Sequence, residues 1–215
     1  MTLCPDSNFS LLSPSLVDYS FCSDTPLKLG IMASGNGSNF EAIAQTIKDK
    51  QLFAEIKILI YNNPKAYAAV RAANWGIPSV LLNHRDYRNR GEFDEQIVKT
   101  LQQYNVELVI MAGWMRLVTP VLLNAFPDKI INIHPSLLPS FKGTRAVEQA
   151  LAAGVKITGC TVHLLSLEMD SGKILIQAAV PVLPDDTPET LHARIQVQEH
   201  RILPLAIALA VKNSP

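Results

Sequence analysis

The stretch Lys129-Ile130-Ile131-Asn132-Ile133-His134-Pro135 contains the apolar run from which the rest of the fold can be worked out. Such a run predicts a buried strand, and side chains at positions i and i+2 of a strand leave from the same face. Pro135 ends this strand because it has no N–H for the sheet and restricts the residue before it. Asn132 and His134 are therefore expected to point together beyond the strand's end. There they either donate to one carbonyl oxygen that becomes anionic or cap neighbouring backbone groups.

Short apolar strands alternate with helical patterns along the first two thirds of the chain. Strands are predicted at 27–32, 56–61, 78–82, 106–111 and 129–133, and helices at 40–49, 66–75, 93–104 and 120–125. This alternation is typical of an α/β fold with an open, mostly parallel, Rossmann-like sheet and helices on both faces. Continuously apolar strands agree with it, because parallel sheets are buried on both sides.

The pattern changes after Pro139. A helix is predicted at 146–153, followed by two β-rich segments at 158–164 and 174–182 that read as an antiparallel extension of the sheet near the C-terminus. Thr187-Pro188 then has the residue types of a helix start, with Thr as N-cap and Pro in the first turn. That helix is expected to run from 189 toward 210, with a kink at Pro204.

Composition excludes several classes of protein. The chain has 215 residues, 48% of them hydrophobic, and 19 basic residues against 19 acidic ones, so it lacks the broad basic surface typical of nucleic-acid binding. No apolar run reaches the roughly 18 to 20 residues of a membrane span. Three cysteines without metal-ligand spacing fit a reducing compartment, and we expect a cytoplasmic protein with no metal.

The first 25 residues differ from the rest of the chain. They contain six serines, three aspartates and no Lys or Arg, and they show no periodic pattern. A secretory signal would need a basic segment before its apolar one. We therefore expect a loosely ordered tail over 1–25 and one folded domain over 26–215.

A small polar turn, Gly35-Asn36-Gly37-Ser38-Asn39, follows the first predicted strand and leads into a helix. A glycine-rich turn at a helix start presents free N–H groups, which suits a phosphate. It is not the GxGxxG pattern, and no acidic residue follows about 20 positions later, so a dinucleotide site is disfavoured. The alternative is a tight turn with no ligand.

A third candidate position is Asp170, in the turn Glu168-Met169-Asp170-Ser171-Gly172. An Asp before Ser-Gly is typical of turns, but together with Asn132 and His134 it would complete an oxyanion donor, an imidazole and a carboxylate. The sequence has no Gly-x-Ser-x-Gly elbow, no Cys beside a His, and no zinc spacing among its five histidines. These features favour an external nucleophile that attacks a bound carbonyl.

Five motifs together resemble the phosphoribosylglycinamide formyltransferases, a branch of the formyl-tetrahydrofolate-dependent formyltransferase family. They are GNGSN at 35–39, MAGWMRLV at 111–118, NIHPSLLPSFKG at 132–143, TGCTVHLLSLEMDSG at 158–172 and QEH at 198–200. The resemblance covers about residues 27–211. It implies transfer of a formyl group from formyl-tetrahydrofolate, as co-substrate, to the glycine amine of glycinamide ribonucleotide in purine synthesis.

The resemblance also implies roles for individual residues. Catalysis would fall to Asn132, His134 and Asp170. The ribonucleotide and its phosphate would contact Gly37, Ser38, Asn39 and Glu199. The folate would contact Arg90, Met115, Arg116, Leu117, Val118 and Asn132. Arg85 and Arg88 lie close enough to Arg90 in the sequence to be alternatives for its contact.

Three other functions share part of this pattern. A formyl-tetrahydrofolate hydrolase would use water as the nucleophile, and it would normally carry a regulatory domain for which a 25-residue tail is too short. A methionyl-tRNA formyltransferase would need roughly another hundred residues and a basic surface. A noncatalytic nucleotide or sugar-nucleotide module would not need a poised imidazole. We expect a monomer or homodimer with no nucleic-acid or membrane partner.

Overall fold

The structure is a computed structural model and describes residues 11–14 and 25–212. Within these residues eight strands form one sheet. The strands are β1 (Leu12–Ser13), β2 (Leu27–Ala33), β3 (Ala54–Tyr61), β4 (Ser79–Leu81), β5 (Leu108–Met111), β6 (Ile130–His134), β7 (Ile157–Leu164) and β8 (Ile174–Pro181). The helices are α1 (Ser38–Lys48), α2 (Ala68–Asn74), α3 (Arg90–Gln103), α4 (Pro120–Ala125), α5 (Ala146–Ala152) and α6 (Pro188–Lys212).

The strand order is β1-β8-β7-β6-β5-β2-β3-β4. Neighbours from β6 through β5, β2 and β3 to β4 run parallel. The remaining pairs are antiparallel: β7 with β6, β8 with β7, and β1 with β8. The predicted α/β fold, with an open and mostly parallel sheet and an antiparallel extension, is confirmed. The carboxyl ends of β2, β5 and β6 lie side by side at one edge of this sheet.

Two hydrophobic cores cover the two faces of the sheet. In β5, Leu108 and Ile110 enter the core formed with α1, α5 and α6, while Val109 and Met111 enter the core formed with α3 and α4. All four residues are buried, as expected for a central parallel strand. No helix in the described ranges has the length and apolar character required to cross a membrane.

Two helices begin earlier than the sequence pattern indicated. Helix α1 begins at Ser38 because Gly37 takes a left-handed conformation there, with φ at 76°. Helix α3 begins at Arg90, since the Asn89 side chain accepts a hydrogen bond from Glu92 N at 3.0 Å and caps it. The predicted starts at 40 and 93 were therefore wrong. The consequence is that Ser38, Asn39 and Arg90 lie in first helical turns and not in loops.

The start of α6 agrees with the prediction, because Thr187 Oγ1 accepts a hydrogen bond from Thr190 N at 3.3 Å. The helix continues through Pro204 to Lys212.

Two residues of the tail that was expected to be loosely ordered form a short strand. Leu12 and Ser13 form β1 and pair with Ala178 and Gln177 of β8. Backbone pairing with an edge strand needs no apolar periodicity, which is why the sequence pattern carried no sign of it. Residues 1–10 and 15–24 lie outside the described residues, and the division into a tail over 1–25 and a domain over 26–215 stays a prediction.

Candidate active site

Asn132 and His134 leave β6 on the same side as Ile130, toward the core that α3 and α4 cover. The strand ends at His134, directly before Pro135, as expected. Only 6% of the His134 surface is exposed. The sequence argument for a shared face therefore agrees with the structure, and a buried imidazole needs partners for its ring nitrogens.

Both ring nitrogens of His134 have protein partners. Nε2 lies 2.8 Å from the carbonyl oxygen of Phe141 and donates to it, and Nδ1 lies 3.5 Å from Asp170 Oδ2. These contacts fix the plane of the imidazole. They also give the ring a carboxylate beside Nδ1, where a second proton can be held.

Asp170 is fixed by its backbone and by its carboxylate. Its φ is 52°, in the left-handed region that Asp tolerates better than most residues. Oδ2 accepts a hydrogen bond from Gly143 N at 2.7 Å, and Oδ1 lies 3.8 Å from Nε2 of His163. The carboxylate is thereby wedged between the two imidazoles.

His163 belongs to this cluster although sequence reasoning did not select it. It lies directly opposite Asn132 across the β6–β7 pairing. Its Nδ1 donates to the Leu164 carbonyl at 2.8 Å, and Asn132 Nδ2 donates to its Nε2 at 3.2 Å. Burial lowers the pKa of His163, which favours the neutral ring that can accept this bond. The missing signal was the antiparallel register, which places the two residues together.

Gly37 is required by both conformation and space. Besides its φ of 76°, a Cβ at this position would lie 2.7 Å from Ala68 Cβ and 2.8 Å from Ala68 Cα, the first residue of α2. No side chain caps the start of α1. Its first N–H groups are therefore available to an anion, as expected for a phosphate loop.

Helix α6 reaches the start of α1 with two side chains. Asn39 Nδ2 donates to Glu199 Oε2 at 3.0 Å, and Gln196 Nε2 donates to Ser38 Oγ at 2.9 Å. Glu199 is only 5% exposed, and burial raises its pKa. Buried Asn39 Oδ1 has no hydrogen-bond partner among the residues that the structure describes. Sequence reasoning missed Gln196, although it stands one helical turn before Glu199 and shares its face.

The predicted folate segment 115–118 follows β5 and carries exposed apolar side chains. Met115 is 78% exposed and Leu117 is 56% exposed, whereas Arg116 and Val118 are half-buried. Exposed Arg90 lies in the first turn of α3, and its charge and that of Arg116 both act on Asp94.

The structure brings the predicted site residues to one edge of the sheet. The glycine turn follows β2, the apolar segment follows β5, and the Asn–His pair ends β6, three neighbouring parallel strands. Ligands of open α/β sheets bind at such an edge. In the described ranges no three His, Cys, Asp or Glu side chains form a group that could hold a metal ion.

Comparisons with known proteins agree with this arrangement. A family model described as formyl transferase matches residues 27–207. The phosphoribosylglycinamide formyltransferase of Bacillus subtilis is 44% identical over 84% of this chain and 92% of its own length. A trifunctional purine biosynthetic protein adenosine-3 of Gallus gallus is 41% identical over 87% of this chain. The chain spans about a fifth of the length of that relative.

Solved structures give the same result. A glycinamide ribonucleotide transformylase from Symbiobacterium toebii has a TM-score of 0.86 and 42% identity, with 88% of this chain and 90% of that chain covered. A phosphoribosylglycinamide formyltransferase from Bacillus halodurans has a TM-score of 0.83 and 40% identity, with 87% of this chain and 97% of that chain covered.

Proposed function

The chain belongs to the formyl transferase family, and we propose that it transfers a formyl group from formyl-tetrahydrofolate to the glycine amine of glycinamide ribonucleotide, in purine biosynthesis. The observation that carries this proposal is the cluster of Asn132, His134 and Asp170, which lies at the same edge of the sheet as an uncapped helix start and an exposed apolar segment. Relatives that this chain covers almost completely are named for that reaction.

The two substrates would bind beside the cluster, at the carboxyl ends of β2 and β5. The nucleotide phosphate would accept hydrogen bonds from the free N–H groups after Gly37, and Ser38, Asn39 and Glu199 would contact the rest of the nucleotide. The unpartnered Asn39 Oδ1 supports this placement, because a donor on the ligand would satisfy it. The pterin would pack on Met115 and its neighbours, whose apolar surface is otherwise in solvent.

In the proposed mechanism the neutral amine attacks the formyl carbon, and the carbonyl oxygen becomes anionic. Asn132 Nδ2 has a second N–H that can donate to this oxygen, while its first holds His163. His134 Nε2 donates to Phe141 in the structure, so the oxyanion must replace that carbonyl as its acceptor. A well-placed donor of this kind is typically worth ~3 to 4 kcal/mol in the transition state.

The reaction also moves one proton. The new C–N bond forms at the amine, the bond from the formyl carbon to the folate nitrogen breaks, and the amine's proton must reach that nitrogen. Asp170 lies beside His134 Nδ1 and accepts this proton before it passes to the leaving group. Holding both substrates in line supplies much of the remaining acceleration.

Consumption of formyl-tetrahydrofolate, measured with and without the ribonucleotide, tests this proposal. We expect loss of the folate's formyl group only when the amine is present, with one formylated nucleotide formed per folate consumed. Equal consumption without the nucleotide would indicate a hydrolase, and no consumption at all would remove the proposal. We also propose a cytoplasmic monomer or homodimer. Gel filtration of the purified protein would check the oligomeric state, and cell fractionation would check the location.

A further inference from the structure

The apolar segment 115–118 has no helix or strand of its own and is held by side chains from two other elements. Its first residue, Met115, donates through its backbone N to Ser34 Oγ at 2.9 Å. Directly after it, Thr119 donates to Asp94 Oδ2 through both N, at 2.6 Å, and Oγ1, at 2.8 Å. The segment is thus anchored at both ends by side-chain oxygens.

We propose that Ser34 and Asp94 are positioning residues, which hold the segment 115–118 in the shape that receives the folate. The inference rests on the proposed function, because it takes this segment as the folate platform. Neither residue is part of the catalytic cluster described above. Each acts through backbone it holds in place, and not by touching the reacting atoms.

Asp94 anchors the C-terminal end of the segment. It is 2% exposed, and a carboxylate is costly to bury unless its oxygens are hydrogen-bonded. Both bonds from Thr119 reach the same oxygen, Oδ2, and the charges of Arg90 and Arg116 also act on this carboxylate. Its neighbour Phe93 stacks on Trp114, with ring centroids 6.0 Å apart. Helix α3 therefore contacts the residue before the segment, Trp114, as well as the residue after it, Thr119.

Ser34 anchors the N-terminal end of the segment and makes a second contact there through its backbone. Its backbone N donates to the Gly113 carbonyl at 3.0 Å, so its N and Oγ together clamp the turn 113–115. The next residue, Gly35, begins the glycine turn assigned to the phosphate. Ser34 thus joins the two proposed substrate sites, whereas the hydrogen bonds described for Asp94 go to Thr119 on the folate side.

This difference predicts two distinct kinetic signatures. Loss of the Asp94 anchor should raise the KM for the folate while the KM for the ribonucleotide stays unchanged. Loss of the Ser34 hydroxyl should raise the KM for the folate and, by a smaller factor, the KM for the ribonucleotide. A residue that merely stabilised the fold would lower the melting temperature without separating the two substrates.

The experiment compares Asp94→Ala, which removes the oxygen that accepts both bonds from Thr119, and Ser34→Ala with the matched controls Thr119→Ser and Ser34→Thr, which keep the hydroxyl contacts. Steady-state kinetics and calorimetric titration of a nonreactive folate analogue and of the ribonucleotide are measured for each folded variant. We expect folate binding to weaken about tenfold in Asp94→Ala, the loss typical of a bond to a charged group. Both controls should stay within about twofold of the parent protein. If Asp94→Ala is too unstable to purify, Thr119→Ala removes one of the two bonds and should show the same split at a smaller factor.

Two results would overturn the inference. One is equal weakening of both substrates in the Asp94→Ala and Thr119→Ala variants, and the other is unchanged folate binding in Ser34→Ala and Asp94→Ala alike. Failure of the proposed function is distinguishable, because the parent protein itself would then neither bind the folate analogue nor transfer the formyl group.

Discussion

The end of β6 and the segment after β5 differ in which kind of side chain is buried. At the end of β6 the polar side chains are the buried ones, and His134 and Asp170 each contact protein partners there. In the segment 115–118 the apolar side chains of Met115 and Leu117 lie in solvent. Buried polar groups with fixed partners are rigid, which suits chemistry, whereas exposed apolar surface is available to a flat ligand. Under the proposed function, the end of β6 is a turnover region and the segment 115–118 is a binding region.

The largest effect is expected at the turnover region. Asn132→Ala and His134→Ala should each lower kcat by two or more orders of magnitude, because each removes a donor to the oxyanion. Circular dichroism and the melting temperature would show that the variants are folded. Near-normal turnover in either folded variant would show that the residue has no part in the mechanism. It would also contradict the proposed division between a turnover region and a binding region.

The next largest effect is expected at the glycine turn. Gly37→Ala adds a Cβ against Ala68 and requires a non-glycine residue at φ 76°, so the N–H groups after it should shift. We expect the KM for the ribonucleotide to rise about tenfold or more, with a lower melting temperature and a smaller change for the folate. Gly154→Ala is the matched control, since Gly154 also has a positive φ, of 66°, but a Cβ there meets no described atom within 4 Å. Equal effects on both substrates would mean that the turn is only structural.

A smaller effect is expected in the binding region. Met115→Ala removes exposed apolar surface, so stability should not change, but the KM for the folate should rise about threefold to tenfold with kcat preserved. Leu183→Ala, at an exposed position between β8 and α6, serves as the control and should leave both constants unchanged. A loss of kcat in Met115→Ala without a change in KM would contradict the division between the two regions.

The smallest effect concerns stability and its dependence on pH. Burial raises the pKa of Glu199, so the unfolded chain releases this proton at a lower pH than the native state does. The carboxyl therefore destabilises the native state increasingly as the pH rises through the carboxyl range. Glu199→Gln should melt a few degrees higher than the parent at pH 7 and lose that advantage at pH 4, while it binds the ribonucleotide less tightly.

Thermal unfolding at both pH values measures this difference. The exposed Glu95→Gln is the control and should show no pH-dependent gain. A melting temperature of Glu199→Gln below that of the parent at pH 7 would show that the bond from Asn39 outweighs the cost of burial.

The sheet class and the shared face of Asn132 and His134 could be predicted because they depend on local patterns, an alternation of elements and a period of two. His163 and Gln196 could not, because their partners lie 31 and 158 positions away in the sequence. Only the antiparallel register of β7 and the return of α6 to α1 bring them to the site. The start of α1 was missed for a different reason, since the left-handed conformation of Gly37 replaces a capping side chain.

We propose that the cluster at the end of β6 performs the chemistry while other elements hold the substrates. Asp170→Asn tests it most directly, because Asn tolerates φ 52° and can still accept the bond from Gly143 while the charge is lost. Calorimetric titration of both ligands beside a single-turnover assay is the measurement. We expect the transfer rate to collapse while both dissociation constants move by less than about tenfold, or ~1.4 kcal/mol. Loss of binding along with turnover would show that Asp170 holds the site's architecture, and would contradict the claim.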